Sequence, residues 1–182
     1  MANTNAIEML SDHSGPIKLL QLPEEVRFSL RIDVSLIAKA SKALGFKLPD
    51  QIGARTDVET GYAAMLGPDE WVIKTSAEDR DSIASAFTKL YKTTPHSLTD
   101  ISDREISILL EGSEVTDLLA IGNPLDFRKF KVGRSERTLF DTAQIVLHRD
   151  RDDSFKLDVW RSFFPHVWGM LIVGNRELAV KM

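Results

Sequence analysis

In residues 26–33, apolar Val26, Phe28, Leu30 and Ile32 alternate with Arg27, Ser29, Arg31 and Asp33. A period of two puts alternate side chains on opposite faces, so this stretch predicts a half-buried strand. Ser35 then offers a cap for a helix with Leu36, Ile37, Ala40 and Leu44 on one face, and Gly45 predicts its end. Residues 49–61 are polar and predict a loop. Residues 62–66 and 71–75 predict short strands joined by a hairpin turn at Gly67-Pro68-Asp69-Glu70. Ser76 opens a second helix carrying Ile83, Phe87, Leu90 and Tyr91, and Pro95 closes the unit. The predicted order is β-α-β-β-α.

The second half reads the same way. Ile106, Ile108 and Leu110 alternate in a strand. A helix over residues 113–121 follows, with Ser113 as its cap and Val115, Leu118 and Leu119 as its apolar face. Gly122 predicts a left-handed helix end, and Asn123-Pro124 a turn. Residues 137–140 and 142–149 predict paired strands, with a charged turn at 150–153. Phe155, Leu157 and Val159 alternate in a further strand. Pro165 suits the first turn of a last helix carrying Val167, Trp168, Leu171 and Ile172. The repeat is one of element order, not of residues. It predicts an α+β fold: one domain over residues 26–182, made of two interlocked lobes, 26–95 and 96–182. Each lobe would hold an antiparallel sheet with helices on one face. Residues 1–25 stand apart as an N-terminal arm. They are broken by Gly15-Pro16 and Pro23 and carry scattered Ile7, Met9, Leu10, Ile17, Leu19, Leu20 and Leu22. They read either as a frayed terminus or as an arm that orders against a partner.

Composition narrows the classes. With 182 residues, 43% hydrophobic and 27% charged, the chain can bury a core without staples. A net charge of −4 argues against nucleic acid as a partner. The absence of cysteine excludes disulfides, thiolate catalysis and cysteine-based metal sites, and fits the expected cytoplasmic location. Residues 1–10 have neither the basic region nor the apolar run of a signal peptide. No stretch approaches the roughly 18 apolar residues of a membrane span, so no membrane association is expected.

Candidate chemistry is sparse. His13, His96, His148 and His166 show no helical ligand spacing, so no metal site is expected. Asp100 and Asp103 read as a turn or, in one cleft, as an acid–base pair. Gly112, Gly122 and Gly133 do not form a phosphate-binding loop, and Ser113 and Ser162 lack a nucleophile elbow. No catalytic or cofactor-binding residue is assigned. Two features point to a partner instead. Arg128, Lys129, Lys131, Arg134 and Arg137 make a basic loop suited to an acidic surface, with a solvated loop as the plain alternative. Trp160 falls on the polar side of the strand that carries Phe155, Leu157 and Val159. It is either an interface anchor or covered by a helix of its own chain.

Four blocks, in order, carry a resemblance. They are Gly67-Pro68-Asp69-Glu70-Trp71; Thr99-Asp100-Ile101-Ser102-Asp103-Arg104; Leu118 to Phe130 with Gly122-Asn123-Pro124-Leu125-Asp126-Phe127; and Arg161-Ser162-Phe163-Phe164 leading to Trp168. They resemble the gamma subunit of heterotetrameric sarcosine oxidase, a family similar to the folate-binding domain of the glycine-cleavage T protein. The resemblance implies a duplicated α+β fold and a non-catalytic structural subunit with alpha, beta and delta partners. The assembled enzyme would oxidatively demethylate sarcosine to glycine, with oxygen and tetrahydrofolate as co-substrates. FAD, FMN, NAD, zinc and tetrahydrofolate would sit on the other subunits. The alternative is a stand-alone folate or small-ligand binding module of the same fold.

Overall fold

The computed structural model describes residues 9–180. In chain order the elements are β1 (Ser11–Asp12), β2 (Lys18–Gln21), β3 (Val26–Arg31), a 3₁₀ turn at Val34–Leu36, α1 (Ile37–Leu44), β4 (Arg55–Val58), β5 (Gly61–Gly67), β6 (Glu70–Thr75), α2 (Arg80–Tyr91) and β7 (Ser97–Asp100). There follow β8 (Glu105–Glu111), α3 (Val115–Ala120), β9 (Ser135–Phe140), β10 (Ala143–Arg151), β11 (Ser154–Trp160) and α4 (Phe164–Ala179). They build an α+β fold with two antiparallel sheets. One runs β4-β5-β6-β3-β7, the other β1-β2-β8-β11-β10-β9.

Alternation along the strands sets the layers. In the first sheet Phe28, Leu30, Ala63, Met65, Trp71 and Ile73 turn to one face and form a core with α1 and α2. In the second, Ile108, Leu110, Ile145, Leu147, Phe155, Leu157 and Val159 pack under α3 and α4. The other faces of the two sheets meet each other, so the order is helices, sheet, sheet, helices. The sheets also join along one edge. Arg134 bridges to Ala54, and the Ser135 N–H donates to the Gly53 carbonyl at 3.0 Å.

Local signals differ from expectation in several places. The first helix is capped a turn early: the Asp33 carboxylate accepts the Ser35 N–H at 2.8 Å, and Ser35 is not the cap. Gly45 does end α1, at φ +90°. The helix expected from Ser113 begins at Val115, with Glu114 in the cap position. Gly122 is not left-handed. It is a point of close approach, where the Asp141 N–H donates to its carbonyl at 2.7 Å and an added Cβ would lie 3.0 Å from that nitrogen. Besides the two-residue β1 in the expected arm, three strands lie where sequence alternation gave no sign. Strand β4 sits inside the expected loop 49–61. Strand β7 follows Pro95 and pairs with β3, carrying the first sheet past residue 95. Strand β2 lies in the expected arm, where Ile17 and Leu19 are fully buried in the second core. Residues 1–8 of that arm, Ile7 included, lie outside the described residues.

Candidate functional site: a polar layer between the sheets

The faces on which the two sheets meet carry the polar half of each alternating strand. Arg27 comes from β3, Tyr62 from β5 and Lys74 from β6; Ser107 from β8, Ser135 from β9, His148 from β10 and Asp158 from β11. Asp158 is the hub. Its Oδ1 accepts the Ser107 hydroxyl at 2.6 Å, the Lys74 ammonium at 3.0 Å and the Arg27 guanidinium at 3.3 Å. Its Oδ2 lies 2.9 Å from His148 Nε2. Glu25 closes the network, accepting from Lys74 at 2.7 Å and Ser107 at 3.2 Å. Arg27 also donates to the Glu105 carbonyl at 2.7 Å. The Lys156 ammonium lies 4.7 Å from the centre of the Tyr62 ring.

Burial alone would raise the Asp158 carboxyl, but Lys74, His148 and Arg27 hold it well below the usual carboxylate range. Burial pushes His148 down to about 4, against the pull of Asp158. The imidazole is therefore neutral near pH 7, with its hydrogen on Nε2 toward Asp158. Nδ1 then accepts the Ser135 hydroxyl at 2.7 Å. Burial alone would raise the Glu25 carboxyl, but Lys74 and Lys156 hold it below its ordinary value.

Ser135, His148 and Asp158 are thus linked in the order of a hydrolase triad, which sequence spacing did not suggest. Chemistry argues against that use. Ser135 and His148 are 0% exposed, so no substrate carbonyl reaches the hydroxyl. A histidine held near 4 is also a weak base at neutral pH. The Asp158 charge is already matched by Lys74 and Arg27. What the arrangement does is lock two sheets in one register with satisfied charges. The signal in the sequence was the polar half of each alternation, which reads as solvent-facing when only one buried face is expected.

At one end the layer opens around Trp160. A hollow of about 10 Å³ there is lined by Glu70, Arg104, Glu105, Arg137, Trp160 and neighbouring residues. Arg137 grips Glu70 with both terminal nitrogens, and Arg31 reaches the same carboxylate at 2.9 Å. Trp160 is 41% exposed, with the Arg104 guanidinium 6.0 Å from its ring centre and Phe163 at 6.4 Å. Of the candidate partner residues, Arg137 and Trp160 therefore share one rim. Arg134 is held elsewhere, donating to the Ile52 carbonyl and to Glu136. Arg128, Lys129 and Lys131 form a separate exposed group, with Arg128 paired to Asp126 at 2.8 Å.

The family model for the sarcosine oxidase gamma subunit family matches residues 31–177. The chain belongs to that family. Among solved structures, heterotetrameric sarcosine oxidase from Corynebacterium sp. U-96, in complex with pyrrole 2-carboxylate, superposes with a TM-score of 0.80 at 23% identity, over 92% of this chain and 88% of that one. The glycine cleavage system aminomethyltransferase T from Bartonella henselae gives 0.64 at 12% identity, over 87% of this chain and 46% of that one. No curated protein sequence matches. The stretches that carry the sequence resemblance converge in space. Glu70, Arg104 and Arg161 come from three of them; Arg161 donates from its backbone to the Arg104 carbonyl at 2.9 Å, and its side chain reaches the Asp103 carbonyl at 3.1 Å. The fourth block is the turn after α3, where Asn123 accepts the Leu125 N–H and donates to the Leu139 carbonyl, both at 2.9 Å. Among the described residues no helix is long and apolar enough to cross a membrane.

Proposed function

We propose that this chain is the structural, non-catalytic gamma subunit of a heterotetrameric sarcosine oxidase that demethylates sarcosine with oxygen and tetrahydrofolate. The observation that carries the reading is the family match over residues 31–177, taken with a polar layer whose reactive groups are spent on one another. FAD, FMN, NAD, zinc and tetrahydrofolate belong to the partner subunits in this reading, and the alpha, beta and delta chains are those partners. The rival is a stand-alone folate module. It would bind folate as the isolated chain, without alpha, beta or delta partners.

Co-expression with candidate alpha, beta and delta chains, followed by native mass measurement, tests the assignment. A defined complex containing this chain is expected, and the chain purified alone is expected to be colourless and inactive. Stoichiometric flavin absorbance near ~450 nm from the isolated chain, the band a bound flavin brings with it, would overturn the non-catalytic role. A chain that stays single beside all three partners would overturn the subunit role.

A further inference from the structure

The two lobes repeat strand for strand, and the repeat exposes a vacancy. Aligned by element order, β4-β5-β6-β3 matches β9-β10-β11-β8, and β7 sits beside β3 as β2 sits beside β8. The second sheet then has one strand more, β1, paired outside β2. Helix α4 supports that outer edge, where Asn175 donates to the Asp12 carboxylate at 3.0 Å and grips the Ile17 backbone. Among the described residues the first sheet stops at β7.

The outer side of β7 is built to accept a strand. The Ile101 N–H donates to the Arg27 carbonyl at 2.9 Å, and the register pairs Ser29 with Thr99 and Arg31 with Ser97. Hydrogen-bonded pairs alternate in an antiparallel ladder, so Ser97, Thr99 and Ile101 turn inward. The N–H and C=O groups of Leu98 and Asp100 therefore point away from the sheet. Helix α2 overhangs this side. Arg80, Ala84, Thr88 and Tyr91 wall a groove of about 720 Å³ whose other wall holds Leu98 and Asp100.

We propose that an extended segment of a partner subunit adds to β7 as a sixth strand, filling in the first sheet the place that β1 takes in the second. This rests on the gamma-subunit reading. A residue opposite Leu98 points its side chain at Ala84, Thr88 and Tyr91, so that position takes an apolar residue. At the far end Asp81 and Asp100 outnumber Arg80, so the residue two positions along is basic. A four-residue edge falls far short of the ~800 Å² per partner of a stable interface. The occupant is thus an arm of a chain held elsewhere on the complex, not a free peptide.

Amide hydrogen exchange on the assembled complex and on the chain alone tests the proposal. The Leu98 and Asp100 amides should exchange at least ~10-fold more slowly in the complex. Leu98→Pro removes the outward-facing N–H together with a side chain at the margin of the first core, so it should weaken assembly by more than Leu98→Ala, which loses the same packing and keeps the N–H. Thr99→Pro removes an inward bond and should unfold the edge. A wild-type complex in which the Leu98 and Asp100 amides exchange as fast as in the lone chain overturns this inference and leaves the subunit reading standing. Failure of the wild-type chain to enter any complex overturns both.

Discussion

Asp158 concentrates the energetics of this molecule in one carboxylate. It is buried between two cations and a neutral imidazole, and each partner is itself buried. Removing one member of such a group leaves charge without compensation. Asp158→Ala should therefore cost ~3–5 kcal/mol, read from urea unfolding at pH 7. The pH dependence follows from the directions of the shifts. His148 titrates at about 4 when folded and near 6.5 when unfolded, so over that window the unfolded chain binds more protons. Stability then falls as pH drops from about 6.5 toward about 4, by roughly 3 kcal/mol. Asp158, held below 3.8, adds a further loss only at lower pH. His148→Gln should remove most of the first slope, leaving the part that Glu25 and Glu70 contribute near its acid end, and keep the second; an unchanged slope between those pH values would show that His148 does not set it. None of these residues stood out in the sequence. Arg27, Lys74, His148 and Asp158 each occupy the polar half of an alternation, and a period of two cannot tell water from a second sheet.

At the scale of elements, legibility follows length and burial. Strands with three or more alternating apolar residues, β3, β8 and β11, were readable along with the order of helices around them. The short strands β2, β4 and β7 were not, because four-residue strands flanked by Pro or Gly carry too few positions to show a period. Strand β2 matters most, since it turns part of an expected arm into core. Ile17 and Leu19 are 0% exposed, and the Ile17 N–H and C=O are both tied to Asn175. Ile17→Ala should lower stability by ~2–5 kcal/mol in a thermal or urea melt of the purified chain. Deleting residues 1–21 should cost more, because it also strips β8 of a neighbour. A truncated chain that melts like the full one while losing only assembly would return the segment to a docking arm.

For the whole molecule, the question is which surface meets the partners, and the charged and aromatic candidates give separate answers. Arg128, Lys129 and Lys131 are exposed and project from a loop far in sequence from the Trp160 rim. Exposed cations act mainly on encounter rates, so replacing all three by Ala should slow assembly at low salt and flatten its salt dependence, with little effect on the final complex. Trp160 makes a different case. Its strand places Phe155, Leu157 and Val159 in the core, and Trp160 with Asp158 on the face that looks toward the other sheet. There the polar layer runs out, and the ring is left 41% exposed between Arg104 and Phe163. The ring is partly exposed, flanked by the Arg104 guanidinium and by Phe163 at the start of α4, so less fold stability should depend on it than on a fully buried aromatic such as Trp71. A large, partly exposed aromatic beside arginines has the composition of an interface anchor. Trp160→Ala should therefore weaken association with the partner subunits by ~2 kcal/mol or more, measured by titrating the variant into the remaining complex. Its unfolding midpoint should stay close to that of the unmodified chain. A large drop in that midpoint with unchanged association would place Trp160 in the internal packing and leave the exposed rim without an anchor.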